Sequence, residues 1–78
     1  MTLPRGVSGK ETVDALKHAG WQRARTRGSH AIMVHPRRPG NVPVPLHDEL
    51  GRGLLRKIIR DAGMTVEEFV QHLQKQRP

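Results

Sequence analysis

The sequence predicts an α+β fold, a two-layer sandwich with the element order α-β-β-β-α-α. Three observations lead to this prediction: a capping motif before a helical pattern, alternating segments separated by turn residues, and two later apolar stripes at helical spacing. The chain has 78 residues, enough for one domain and one core. We expect a flexible lead-in over 1–7, a single domain over 8–73 and a frayed tail over 74–78.

The first helix is predicted over about residues 9–19. Ser8 and Glu11 have the spacing of a capping box, in which each side chain binds the backbone N–H of the other residue. Apolar residues then recur on one face, and Gly20 suits the position that follows a helix.

Three strands are predicted as an antiparallel meander, over residues 21–26, 29–35 and 41–46. Gly28 can adopt the positive φ of a tight turn, and residues 36–40 form a loop. Pro43 and Pro45 lack a backbone N–H, which places the third strand at a sheet edge. We expect the sheet to present one apolar face to the helices and an arginine-bearing face to a ligand.

Two helices complete the domain. An apolar stripe marks the first of them, formed by Leu54, Leu55, Ile58, Ile59 and Ala62. Gly63 ends this helix, and Thr65 with Glu68 forms a second capping box before the last helix.

Charge is the first indication of function. The chain carries a net charge of +7, and its acid-free segment 21–47 holds Arg23, Arg25, Arg27, Arg37 and Arg38. Such a cluster is typical of a surface that binds the phosphate backbone of a nucleic acid, although a solvated surface that keeps a small protein in solution has the same composition. One Trp and one Phe are too few for a platform of stacked bases.

Several classes are excluded by what the sequence lacks. Without cysteine there are no disulfides, thiol catalysis or cysteine-bound zinc. No glycine-rich nucleotide motif, no apolar run of about 18 residues and no signal peptide is present, so we expect a cytoplasmic protein.

His30 is the candidate catalytic residue. It follows the predicted turn at the start of a strand, close to the arginines. RNA cleavage can use the 2′-OH of the substrate as nucleophile, and then needs a proton carrier and cations but no metal and no cofactor. The alternative is a strand histidine that donates to a backbone carbonyl. His30 and His35 lie on opposite strand faces, so their spacing does not favour a metal site.

A set of short motifs in a fixed order adds to this reading: Gly20-Trp21, Gly28-Ser29-His30, His35-Pro36, Val44-Pro45-Leu46-His47, Gly53-x-Leu55-Arg56 and 62–69. Together with residues 8–11 they resemble HicA-type toxins, the small mRNA interferases of type II toxin–antitoxin systems. The resemblance covers about residues 8–73. Ala31 is a departure, because many members carry a second histidine there.

The resemblance implies a double-stranded-RNA-binding-domain-like fold, a ribonuclease activity that depends on His30, and a HicB-type antitoxin that masks His30. Candidate RNA-binding residues are Lys10, Arg23, Arg25, Arg27, Ser29, Arg37, Arg38 and His47. Two of these have open alternatives: Ser29 either binds a phosphate oxygen or supports the turn, and His47 is either a second proton carrier or a hydrogen-bonding residue of its loop.

Three other functions remain open at this point. The first is a double-stranded-RNA-binding module that catalyses no reaction. The second is a protein that binds its antitoxin but has lost nuclease activity. A DNA-binding winged helix fits least, because the helix over 54–62 has a broad apolar stripe where a base-reading face is needed.

Overall fold

The computed structural model describes residues 3–76 and confirms the α+β prediction. The elements are α1 (Gly9–His18), β1 (Gln22–Arg27), β2 (His30–His35), β3 (Arg38–Pro45), α2 (Arg52–Asp61) and α3 (Val66–Gln76). The strands form one antiparallel sheet in the order β1-β2-β3, and the helices pack on one face of it. This arrangement agrees with a double-stranded-RNA-binding-domain-like fold.

Both predicted capping boxes are present. The Glu11 N–H donates to Ser8 Oγ at 3.0 Å, and the Ser8 N–H donates to Glu11 Oε1 at 3.1 Å. At α3, the Glu68 N–H donates to Thr65 Oγ1 at 3.1 Å and the Thr65 N–H to Glu68 Oε1 at 2.9 Å. These bonds satisfy N–H groups that have no partner within the helix, and so fix where α1 and α3 begin.

The core lies between the helices and the β2–β3 half of the sheet. Ala31, Met33 and Val44 are fully buried there, packed with the apolar faces of the three helices. The expectation of an apolar face on all three strands is wrong for β1, because all six of its residues are exposed. The sequence of β1 explains this, since it offers only Ala24 as an apolar side chain.

β3 forms one edge of the sheet, as its prolines predicted. Leu46 continues the pairing by donating its N–H to the Ser29 carbonyl at 2.6 Å. Because the direction of the backbone N–H and C=O groups alternates along a strand, those of Val44 also point toward β2. The nitrogens of Pro43 and Pro45 point outward. The prolines therefore remove no hydrogen bond from the sheet.

Two boundaries differ from the sequence prediction. The lead-in over 1–7 is packed rather than flexible from residue 3, because Leu3 and Val7 are 2% and 0% exposed and Leu50 donates its N–H to the Val7 carbonyl at 2.7 Å. Residues 74–76 of the expected frayed tail belong to α3. Residues 1–2 and 77–78 lie outside the described part of the chain.

Two further differences concern β3 and α2. β3 begins at Arg38, so the predicted loop over 36–40 shortens to a turn at Pro36 and Arg37. Leu54 is 40% exposed and does not belong to the buried face of α2, which Leu55, Ile58 and Ile59 form. None of the helices within residues 3–76 has the length and apolar character needed to cross a bilayer.

Candidate nucleic-acid interface

His30 is presented by a tight turn at one end of the central strand. Gly28 has a φ of +58°, which a residue with a side chain rarely adopts, and with Ser29 it reverses the chain between β1 and β2. His30 is the first residue of β2 and is exposed. Among residues 3–76 the His30 ring has no hydrogen-bond partner. The structure therefore does not show the alternative, in which this ring donates to a backbone carbonyl.

Two arginines share the sheet face of His30. Arg27 pairs directly with His30, and Arg25 pairs with Ile32, two residues further along β2. Directly opposite residues of an antiparallel pair place their side chains on the same face, about 4.5–5.5 Å apart at Cβ. The core residues Ala31 and Met33 lie on the other face, so the face of His30 is turned away from the helices.

A β-bulge at Ala24 separates Arg23 from the other two arginines. Arg23 pairs with Met33 and Arg25 with Ile32, which leaves Ala24 as the extra residue. Without the bulge, residues 23, 25 and 27 would share one face. With it, Arg23 lies on the helix side, where its Nη1 is 3.5 Å from Thr26 Oγ1.

The loop arginines are far from His30. Arg37 and Arg38 follow the opposite end of β2, and at about 3.3 Å per residue the six residues of this strand separate the two ends by roughly 16 Å. The Arg38 guanidinium lies against Gly63, in the position that a Cβ on this glycine would occupy. The structure therefore does not bring these arginines together with His30.

The start of α1 lies beside the end of β3. The Gly9 N–H donates to the His47 carbonyl at 2.9 Å, and a Cβ on Gly9 would overlap the Pro45 carbonyl oxygen. Since Pro45 pairs with His30, the exposed Lys10 and His47 are at the same end of the sheet as His30. The Ser29 carbonyl accepts the Leu46 N–H at this end, and the two alternatives for the Ser29 side chain stay predictions.

The rings of three other histidines have structural contacts. His35 accepts the Arg37 N–H on Nδ1 at 3.0 Å, and its ring meets Trp21 edge-on with 5.4 Å between centroids. On the helix layer, Nδ1 of His18 and Nδ1 of His72 are 3.1 Å apart, so one donates to the other. Sequence reasoning missed this pair because 54 residues separate its members.

No enclosed site was found in the described part of the chain. Residues 3–76 form no pocket, and no three of their His, Asp or Glu side chains come together as metal ligands. A ligand of His30 would therefore rest on an open, positively charged sheet face.

This combination defines a small basic α+β domain with an exposed histidine on the open face of its sheet. A sequence model of the HicA toxin of bacterial toxin–antitoxin systems matches residues 9–64, which include the turn, His30 and the β3–α1 contact. The chain therefore belongs to the HicA toxin family, and an antitoxin is its expected partner. No curated protein sequence matches the chain.

Proposed function

We propose that the toxin is a metal-independent endoribonuclease that cleaves mRNA through His30. The observation that carries the proposal is the direct pairing of His30 with Arg27 on the open sheet face, with the imidazole free of partners among residues 3–76. An imidazole carries protons near neutral pH, and the guanidinium stabilises negative charge that develops on the phosphate.

The reaction we propose forms a bond between the 2′-oxygen and phosphorus and breaks the bond between phosphorus and the 5′-oxygen. The 2′-OH loses its proton to an enzyme base, and the 5′-oxygen leaves as an alcohol after it gains a proton. The products are a 2′,3′-cyclic phosphate end and a 5′-OH end. His30 is the base in this scheme, and Arg27 and Arg25 bind the phosphate backbone.

RNA binding extends this proposal beyond the reacting phosphate. Lys10 and His47 lie at the same end of the sheet as His30, whereas Arg37 and Arg38 lie at the other end, so any contact they make is with more distant nucleotides. Because the proposed substrate is mRNA, we propose that the protein acts in the cytoplasm.

The test is cleavage of a long single-stranded RNA in EDTA, with the fragment ends mapped. We expect the parent protein and a His18→Ala control to cut and the His30→Ala variant to be inactive but folded. Equal cleavage by His30→Ala would contradict the role of His30. Salt-sensitive RNA binding without cleavage by any form would favour the second candidate, a non-catalytic double-stranded-RNA-binding module, which the fold and basic face also suit.

The antitoxin is proposed to be HicB-type and to act by covering His30. Diethyl pyrocarbonate modifies accessible imidazoles, and His30 is exposed in the free toxin. We expect its modification to be suppressed in the complex. Full reactivity of His30 in the complex would exclude steric masking.

A further inference from the structure

The pattern of β3 continues beyond its last residue. Leu46 bonds to Ser29 and packs against the core, as alternation after Val44 requires. The next residue, His47, is exposed. Continued alternation assigns it to the opposite face, which is the face of His30.

The backbone of His47 is held from the other side as well. Its carbonyl accepts the Gly9 N–H at 2.9 Å, and this approach is close because Gly9 has no side chain between α1 and Pro45. The loop is thus closed by backbone bonds, while the His47 ring itself has no partner among residues 3–76. A ring that is positioned by its backbone and left unbonded is available to a ligand.

The spacing of the two strand positions suits one phosphodiester. His30 is directly opposite Pro45, so His47 is its diagonal neighbour, at about 7–8 Å between backbone positions and within reach for long side chains. In an in-line reaction the attacking 2′-oxygen and the departing 5′-oxygen lie on opposite sides of phosphorus, so base and acid must stand apart by about the width of the phosphate.

The residues that flank the two histidines differ in charge. Arg27 and Arg25 lie on the His30 side of the face, whereas Asp48 and Glu49 follow His47 in the chain. The phosphate that these arginines would bind therefore lies next to His30.

We propose that His47 is the second catalytic residue and donates the proton that the 5′-oxygen takes up, while His30 accepts the proton of the 2′-OH. The inference rests on the ribonuclease activity proposed above. After cleavage the two imidazoles have exchanged protonation states, and hydrolysis of the cyclic phosphate or exchange with water restores them.

The test uses two RNA oligonucleotides that differ at one atom of the mapped cleavage site. One carries the ordinary 5′-oxygen and the other a 5′-bridging sulfur, whose thiolate leaves without a proton. We expect His47→Gln to slow cleavage of ordinary RNA roughly 10²–10⁴-fold and to leave cleavage of the sulfur substrate nearly unchanged, whereas His30→Ala slows both. His18→Gln serves as the matched control and should cleave both normally.

The pH dependence gives a second readout. The parent rate should fall at high pH as the acid loses its proton, and this fall should disappear in His47→Gln. Equal slowing of both substrates, or no slowing of either, would show that His47 is not the acid while the His30-dependent ribonuclease stands. Failure of the parent protein to cleave either substrate would instead overturn the ribonuclease and this inference together. Thermal unfolding of each variant separates loss of fold from loss of chemistry.

Discussion

At the scale of single residues, Gly9 is the position where a missing side chain has the largest structural consequence. Ala is normally favoured over Gly in a helix by up to about 1 kcal/mol. Here a Cβ would collide with the backbone of Pro45 and would lie 2.8 Å from the Leu46 Cα, and neither can move without disturbing the sheet. We expect Gly9→Ala to lower the free energy of unfolding by about 1–3 kcal/mol, measured by chemical denaturation.

Gly53 in α2 is the matched control for this substitution. A Cβ there would meet no atom within 4 Å, and its φ is not positive. Gly53→Ala should therefore raise the free energy of unfolding by about 0.5–1 kcal/mol. A gain of stability in both variants would contradict the close approach of Gly9 to Pro45.

Arg27 and Arg23 make a second matched pair, because the bulge places them on opposite faces of the same strand. Arg27→Gln should slow RNA cleavage by roughly 10²-fold, since it removes the cation beside His30. Arg23→Gln removes the same charge from the helix side and should change the rate much less. Equal effects of the two substitutions would mean that RNA responds to total charge and not to the face.

At the scale of secondary-structure elements, the capping boxes define where α1 and α3 begin. Ser8→Ala and Thr65→Ala each remove a hydroxyl that accepts a backbone N–H. We expect a loss of about 1 kcal/mol in the free energy of unfolding for each. Thr65→Ser keeps a hydroxyl and should retain most of this stability. Chemical denaturation of the three variants tests both expectations.

The contact between α1 and α3 should depend on pH. Burial lowers the pKa of His72 from its ordinary value of 6.5, the nearby His18 and Lys75 lower it further, and Glu68 acts in the opposite direction. The unfolded chain then binds a proton more readily than the folded one, so this contribution is complete above about pH 6.5 and is lost as the pH falls below it.

Thermal unfolding from pH 7.5 to 5 tests this expectation. His72→Gln should weaken the decline in melting temperature below pH 6.5, and His18→Gln should do so to a smaller extent. An unchanged pH dependence in His72→Gln would show that this pair does not contribute to the acid sensitivity.

The elements that the sequence predicted well are those specified by local chemistry. Ser8 with Glu11 and Thr65 with Glu68 carry their partners three residues away, and Gly63 ends α2 with a φ of +73°. The bulge at Ala24 has no such local signal, because it depends on the pairing of β1 with a separate strand. Its consequence, the division of the arginines between two faces, could not be read from their regular spacing.

The candidate site was predictable in part for the same reason. His30 could be selected because the turn before it and the motif around it are contiguous in sequence. The positions of His47 and Lys10 relative to His30 depend on α1 meeting the end of β3, a contact between residues about 38 positions apart. The burial of Leu3 and Val7 also arises from long-range packing.

At the scale of the whole molecule, the net charge of +7 predicts that RNA binding weakens with salt. Binding constants for single-stranded RNA should fall with salt concentration on a logarithmic plot, with a slope of about −0.7 for each phosphate neutralised. Arg25→Gln and Arg27→Gln should each reduce the slope by roughly 0.7, measured with the inactive His30→Ala background to prevent cleavage. A slope that stays constant in both variants would place the RNA elsewhere on the surface.

The outward-facing prolines of β3 also affect how copies of the protein meet one another. A strand of another molecule adds to a sheet by forming hydrogen bonds with its free edge. At Pro43 and Pro45 that edge has no backbone N–H to donate. The other edge, β1, is interrupted by its bulge and bears arginines that repel an identical strand. Both margins of the sheet thus resist edge-to-edge aggregation, while the open face stays available to a ligand.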